Sequence, residues 1–463
     1  MTTSFILNEQ TIALDGDDPR ESLLRWLKRR QLHGTKEGCA DGDCGACTVV
    51  LLEPGNDGRT EARAVNSCLL PVGLLPGRTV LTVEGLSRGN ALHPVQQAMV
   101  DCAGSQCGYC TPGFVMSLFA GHAAGELDDG CFEGNLCRCT GYLPIRAAAG
   151  RLRDLPAPID EAPGSPNPAR QALPAVELGT LHSPTTIDDA LALRARLPGA
   201  RWVAGGTDLG VDLSHGRDVG AALIALDRIE ALQGLDVHDD QVVIGAGVPL
   251  RRLERALHGI FPSLDAMLHA FAARQVRNRA TVGGNLGTAS PIGDLLPWLL
   301  ALDATVHCAG PQGTRALPID RFFLGYRKTA RHDDELITHI VVPRRADTRA
   351  ASYKVAKRQS DDISIVASVF ALAFDATRAV THARLAFGGV AAVPLRAHDA
   401  EQRLLGSTLD RSTVDAVGAL LRAAFTPLDD HRSSAAYRRA LCDNLFAKFV
   451  EEHCSDLLPA SAA

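Results

Sequence analysis

Apolar positions along the chain change period repeatedly, and each change marks a different kind of element. Ser4 to Leu14 reads as a short hairpin about Asn8-Glu9-Gln10. Asp18-Pro19 then supplies an N-cap and a first-turn proline for a helix carrying Leu23, Leu24 and Leu27 on one face. Val49 to Leu52, Ala62 to Val65 and Val80 to Val83 are strand-like, with turns predicted at Gly55-Asn56-Asp57-Gly58 and Pro76-Gly77. From His93 the spacing becomes helical, in HPVQQAMVDC, PGFVMSLFAGHAAG and YLPIRAAAG. Proline-rich sequence from Leu155 to Pro174 suits an extended linker. Leu181 to Pro343 alternates strands and helices around glycine-rich turns. Beyond Tyr353, VASVFALAF and ARLAFGGVAA read as strands, and residues 411–425 and 435–450 as helices packed on one face of a sheet.

Composition sharpens this into a class. At ~150 residues per domain, 463 residues imply about three or four domains. With 46% hydrophobic and 22% charged residues and a net charge of -6, no basic surface argues for nucleic acid or an anionic membrane. MTTSFILNEQ lacks a basic stretch ahead of an apolar run, and no apolar segment reaches ~18 residues, so a soluble, cytoplasmic protein is expected.

The cysteines then supply the chemistry. Ten of thirteen lie between Cys39 and Cys139, a clustering that in a reducing compartment speaks for metal ligands over disulfides. Cys39, Cys44 and Cys47 in GTKEGCADGDCGAC, completed by Cys68, have the plant-type [2Fe-2S] spacing. Zinc is the alternative, although its ligands usually come as two C-x2-4-C pairs. Cys107 and Cys110 precede Thr111-Pro112, read as N-cap and N1, so their thiolates lie near a positive helix end. Cys137 and Cys139 precede the next helix. One-residue spacing crowds a single tetrahedral ion, which favours a second [2Fe-2S] cluster. Cys102 and Cys131 read as structural thiols, and Cys308, Cys442 and Cys454 as core or surface thiols.

GTKEGCADGDCGACTV, GSQCGYCTPGF and GNLCRCTGYLPI resemble the paired iron-sulfur domains of the xanthine dehydrogenase family of molybdenum hydroxylases. AGGTDLG, FAARQVRNRATVGGN, TASPIGD, RFFLGYRKT and YKVAKRQSDDIS resemble that family's FAD-binding region. The resemblance implies an α+β multidomain chain. Its parts are a plant-ferredoxin-like β-grasp domain over residues 1–85, an all-helical [2Fe-2S] bundle over 86–154, a linker over 155–174, an α+β FAD-binding domain over 175–345, and a C-terminal flavoprotein domain over 346–463. It assigns Cys39, Cys44, Cys47 and Cys68 to one cluster and Cys107, Cys110, Cys137 and Cys139 to the other. The FAD pyrophosphate is expected at Val203, Ala204, Gly205, Gly206, Thr207, Asp208 and Leu209, and at Thr281, Val282, Gly283, Gly284 and Asn285. Phe271 is expected near the adenine and Asp294 on a ribose hydroxyl, with Ile337 and Lys354 lining the site. At Gly287 relatives often carry a bulkier apolar residue beside the flavin ring.

The implied activity is electron relay from hypoxanthine or xanthine, oxidised at a molybdenum-pterin centre, through two [2Fe-2S] clusters and FAD to NAD+. Asp208, Tyr326 and Asp361 are the candidates beside NAD+. No segment of this chain is left for the molybdenum-pterin domain. A separate large subunit is therefore expected to carry that cofactor, in a heterotetramer of two small and two large chains. The alternatives are a small subunit acting with an aldehyde- or N-heterocycle-oxidising partner, and a zinc-stabilised scaffold without catalysis.

Overall fold

The first hairpin closes on Asn8 and Glu9, both left-handed at φ 48° and 72°, as the tight two-residue turn between twisted strands requires. It joins β1 (Ser4–Leu7) to β2 (Gln10–Ala13) and is one residue shorter than the sequence implies. The computed structural model describes residues 3–55, 60–156 and 173–458. Most of the Gly55–Gly58 turn and of the proline-rich linker therefore falls outside the described residues.

β3 (Thr48–Pro54), β4 (Thr60–Asn66) and β5 (Thr79–Leu81) complete a five-stranded sheet of order β2-β1-β5-β3-β4, parallel only between β1 and β5. Its middle strand explains the unbroken apolar run VVLL. Val49 and Leu51 pack with Leu23, Trp26 and Leu27 of the Leu23–Arg29 helix. Val50 and Leu52 pack with Val95, Phe114, Phe119 and Ile145 of the helices Pro94–Asp101, Thr111–Ala123 and Leu143–Leu152. A strand covered on both faces has no polar side to alternate with.

Two predicted helix starts move. The first helix begins at Leu23 with Ser22 as its N-cap, not at Pro19. The carbonyls of Pro19 and Glu21 accept from Gly73 N–H at 2.9 Å and Val72 N–H at 3.0 Å, which holds that stretch extended. The Thr111–Ala123 helix has Cys110 itself as N-cap, one residue earlier than Thr111.

A second sheet, β6 (Val176–Leu178), β7 (Leu181–Ser183), β9 (Leu223–Ala225) and β8 (Arg201–Val203) in that spatial order, carries the Leu209–Ser214 helix between β8 and β9. Leu181, Val203, Leu209, Leu223 and Ala225 share one core with Phe5, Leu23 and Trp26. The chain divides into a unit of residues up to Glu230 plus Ala272–Ala280, and a unit of Ala231–Phe271 plus Thr281 onward, so the first unit includes residues on both sides of the linker.

The second unit holds β10 (Leu235–Val237), β11 (Gln241–Gly245), β12 (Thr305–Gly310), β13 (Gly313–Pro318) and β16 (Leu336–Pro343), in an antiparallel sheet of order β10-β11-β16-β12-β13. The hairpin β14 (Phe323–Gly325) and β15 (Lys328–Thr329) stands apart. β17 (Arg349–Val355), β18 (Val366–Phe374), β19 (Val380–Gly388) and β20 (Leu395–Arg396) form the C-terminal sheet. Phe370, Leu372 and Phe387 on one face meet Val417, Leu421, Phe446 and Phe449 from the helices Arg411–Ala423 and Ala435–His453, the arrangement the sequence predicts. The Leu295–Ala301 helix also packs on β18 and β19. No described helix is long and apolar enough to cross a membrane.

Candidate iron-sulfur and flavin sites

The loop between the first helix and β3 brings its cysteines together in pairs. Cys39 N–H points at Cys44 Sγ at 3.3 Å, and Cys47 Sγ lies 3.4 Å from Cys68 Sγ. A hydrogen bond from Cys44 holds the Cys39 thiol down at about 5 and drives Cys44 the other way; Cys68 does the same for Cys47 and is itself pushed up. In the second set Cys110 is pushed up to about 12 by burial and by the neighbouring Cys137. Hydrogen bonds from Thr140 outweigh burial and hold Cys137 down, and contact with Cys107 raises Cys139. The pairs are thus Cys39 with Cys44, Cys47 with Cys68, Cys110 with Cys137, and Cys107 with Cys139.

Pairwise approach fits the donor set of a [2Fe-2S] cluster, in which four thiolates serve two sulfide-bridged irons. A single tetrahedral ion needs all its ligands around one point, and among the described residues no three His, Cys, Asp or Glu side chains converge in that way. The five other thiols behave differently. Cys131, Cys308, Cys442 and Cys454 are buried and pushed up to about 12, 11, 12 and 11 by burial, as inert core thiols are. Cys102 is half-buried against the helical core.

The two cysteine loops touch. Leu136 N–H donates to the Cys44 carbonyl at 3.0 Å, so one hydrogen bond links a residue of the first set to the neighbour of Cys137 in the second. Gly45 makes this approach feasible: it is left-handed at φ 64°, and a Cβ there would stand 2.2 Å from the Gly134 carbonyl. Cys47 and Cys68 are buried, whereas Cys107 and Cys139 are exposed.

On its other side the first set meets the first glycine loop. The Leu209–Ser214 helix lies on the Cys68 segment: Ser214 Oγ–H donates to the Cys68 carbonyl, Val211 packs on Leu24, Cys47, Cys68 and Leu69, and His215 pairs with Asp41 at 2.6 Å. Just ahead of this helix are Val203 to Leu209. Gly205 is pressed so closely on the 279 carbonyl that a Cβ would stand 1.9 Å from it, and Arg279 Nε–H donates back to Gly205 O at 3.3 Å. Asp208 is exposed at the helix N-cap, without capping through its side chain.

The remaining flavin candidates lie in the second unit. Thr281 Oγ1 caps the Val282–Thr288 helix by accepting from Gly284 N–H at 3.0 Å. Asn285 Oδ1 is buried without a hydrogen-bond partner, an orphan that a cofactor hydroxyl or bound water would satisfy. A Cβ at Gly287 would meet nothing within 4 Å. Phe271 and Ile337 are buried. Asp294 and Lys354 pair at 2.9 Å, Ser364 Oγ–H donates to the same carboxylate, and Lys354 also donates to the Ala270 carbonyl at 2.8 Å. The NAD+ candidates divide: Tyr326 is 63% exposed on the β14–β15 turn, whereas Asp361 is buried with a left-handed backbone at φ 49°. Asp362 orders that loop by accepting from Lys357 and Arg358 N–H at 2.8 and 2.9 Å. Sequence reading missed Asn135, Leu136, Ser117 and Gln275, although all four stand inside quoted stretches.

Residues 5–73 match the 2Fe-2S iron-sulfur cluster binding domain family, and residues 82–150 the [2Fe-2S] binding domain family. Residues 175–345 match the FAD binding domain in molybdopterin dehydrogenase, and 351–453 the CO dehydrogenase flavoprotein C-terminal domain. The chain belongs to the iron-sulfur/FAD part of the molybdenum hydroxylase family. Among molybdenum hydroxylases, xanthine dehydrogenase of Emericella nidulans is 31% identical over 98% of this chain and 39% of its own length. That of Drosophila pseudoobscura pseudoobscura is 32% identical over 96% and 38%. This chain therefore spans about two-fifths of the curated relatives it matches. Carbon monoxide dehydrogenase from Hydrogenophaga pseudoflava superposes with a TM-score of 0.58 at 28% identity, over 61% of this chain and 99% of that one. Quinoline 2-oxidoreductase from Pseudomonas putida 86, at 23% identity and a TM-score of 0.56, over 61% of this chain and 98% of its own, shares the fold.

Proposed function

We propose that this chain is the electron-transfer subunit of a cytoplasmic xanthine dehydrogenase, receiving electrons from a large molybdenum-pterin subunit that oxidises hypoxanthine and xanthine to urate, and delivering them to NAD+. The observation that carries the reading is the Leu136–Cys44 hydrogen bond, because it joins the two thiolate sets directly. When bound, two [2Fe-2S] clusters supply single-electron carriage and FAD the exchange between single electrons and pairs. The set of Cys107, Cys110, Cys137 and Cys139, exposed at Cys107 and Cys139, serves as the entry. The set of Cys39, Cys44, Cys47 and Cys68, buried at Cys47 and Cys68, adjoins the Leu209–Ser214 helix and so stands next to the glycine loop Val203 to Leu209. Within the second unit Thr281 to Asn285 hold the pyrophosphate, Phe271 and Ile337 provide apolar walls, and the Asp294–Lys354 pair presents a fixed carboxylate to a ribose hydroxyl. Asp208 and Tyr326, both exposed, bind NAD+. Asp361 acts from beneath its loop, shaping that site.

A second reading, with a partner oxidising another small substrate, draws on the similarity to carbon monoxide dehydrogenase. Purifying the chain with its co-purifying subunits and assaying purine-dependent NADH formation separates the two. Turnover of xanthine with NAD+ is expected. Full cluster and flavin content, with turnover of another substrate only or of oxygen in place of NAD+, favours the second reading.

A further inference from the structure

The contacts that hold the two cysteine loops together are not confined to the iron-sulfur sequence. Asn135, two residues before Cys137, is 1% exposed. Its Nδ2 donates to the Gly45 carbonyl at 2.9 Å, while its Oδ1 accepts from Ser117 Oγ at 2.6 Å and from Gln275 Nε2 at 2.9 Å. Gln275 Nε2 donates also to Ser117 Oγ at 3.0 Å. The protons close: Ser117 gives its single O–H to Asn135 and takes one amide proton from Gln275, whose other proton goes to Asn135. All three side chains are at most 1% exposed, so each unmade bond would be felt in full.

Gln275 stands 140 residues from Asn135, within the stretch that matches the FAD-binding family. Its nine-residue segment, Ala272–Ala280, belongs to the first compact unit and is anchored throughout it. Arg274 pairs with Asp128 at 3.1 Å, Arg277 with Glu133 at 2.7 Å, and Asn278 Nδ2 donates to the Ala64 carbonyl at 2.8 Å. The segment therefore keeps its place if the Gln275 amide alone is removed. Asn135 then keeps Ser117, Gly45 and a 3.4 Å bond to Thr48 Oγ1, and its amide oxygen loses one of its two donors.

We propose that Gln275 is a positioning residue for electron transfer between the two clusters: by fixing Asn135 it fixes the Gly45 carbonyl and the Leu136–Cys44 hydrogen bond, and with them the separation of the two thiolate sets. Electron tunnelling decays exponentially with distance, so a loop that drifts slows transfer without losing its metal. The inference rests on the two-cluster reading. It extends that reading by placing a determinant of inter-cluster geometry in the flavin part of the sequence.

The test uses the full chain, reduced anaerobically and read by low-temperature EPR. In the partly reduced protein each cluster gives its own signal; in the fully reduced protein, dipolar interaction between the two splits them and reports their separation and orientation. Gln275→Leu keeps volume and removes the donor. Its expected result is a smeared or lost splitting and a several-fold slower inter-cluster equilibration, with each separate signal at full intensity. A merely structural role would lower the intensities together. If Gln275→Leu loses its clusters, Gln275→Asn, too short to reach Asn135, is read in the same way. Unchanged splitting at full intensity, in either variant that retains its clusters, overturns the proposal. A wild-type chain with only one signal overturns the two-cluster reading itself.

Discussion

Cys110 shows how much one residue position can carry. It caps a helix, pairs with Cys137, and follows Tyr109, whose hydroxyl donates to the Glu37 carbonyl, so its replacement should act locally on one cluster. Cys110→Ser is expected to remove or perturb one of two EPR signals and spare the other, and a single signal that survives the change would remove the second thiolate set from the account. A different residue governs acid stability. Asp303 gathers Arg384 at 2.6 Å, Arg345 at 3.1 Å and Arg396 at 3.3 Å. Burial alone would raise its pKa, but the arginines outweigh it and hold the carboxyl below its ordinary value. His382, which accepts from Arg345 at 2.7 Å, is pushed down to about 4, chiefly by burial. Both shifts have the same sign in stability. The Asp303 contribution is complete above about 3.9, the ordinary aspartate value, and is lost as pH falls through the lower folded value; that of neutral His382 fades from about 6.5 downward. Asp303→Asn should cost roughly 1–3 kcal/mol near neutral pH, less than for a fully buried pair because 22% of the side chain remains exposed. It should also flatten the acid limb of the unfolding curve, and an unaltered limb would assign that limb to other groups.

At the scale of elements, the sheet of β6 to β9 is misplaced by a reading of sequence order alone. Leu181, Val203, Leu209, Leu223 and Ala225 complete a core whose other side is Phe5, Leu23 and Trp26. At about 1.5–3 kcal/mol for each large apolar side chain buried, exposing this set removes an amount comparable with the ~5–15 kcal/mol that holds a domain folded. A truncated chain beginning near Leu181 should therefore aggregate or lose its flavin, as visible absorbance and gel filtration would report; full flavin in a monodisperse product would contradict the shared core. The cysteine loops were legible because cluster chemistry forces their spacing, and the helical bundle because its period is strong. What escaped was set by partners distant in sequence. Pro19 and Glu21 look like a helix start until Val72 and Gly73 take their carbonyls. The Asn135–Ser117–Gln275 triangle leaves no periodic trace, since its members are 18 and 140 residues apart.

Taken as a whole molecule, the chain orders its chemistry by burial and contact. Exposed Cys107 and Cys139 belong to one set, which the Leu136–Cys44 and Asn135–Gly45 hydrogen bonds join to the set that holds buried Cys47 and Cys68, and that set carries the helix that follows the first glycine loop. Such a series should conduct in either direction. The direct measurement is anaerobic addition of NADH to the isolated chain, without purine or partner subunit, followed by visible absorbance and EPR. The account predicts that NADH bleaches the flavin and then brings up both iron-sulfur signals. Flavin reduction with both clusters left oxidised, or no reduction by NADH where dithionite reduces every centre, would contradict it.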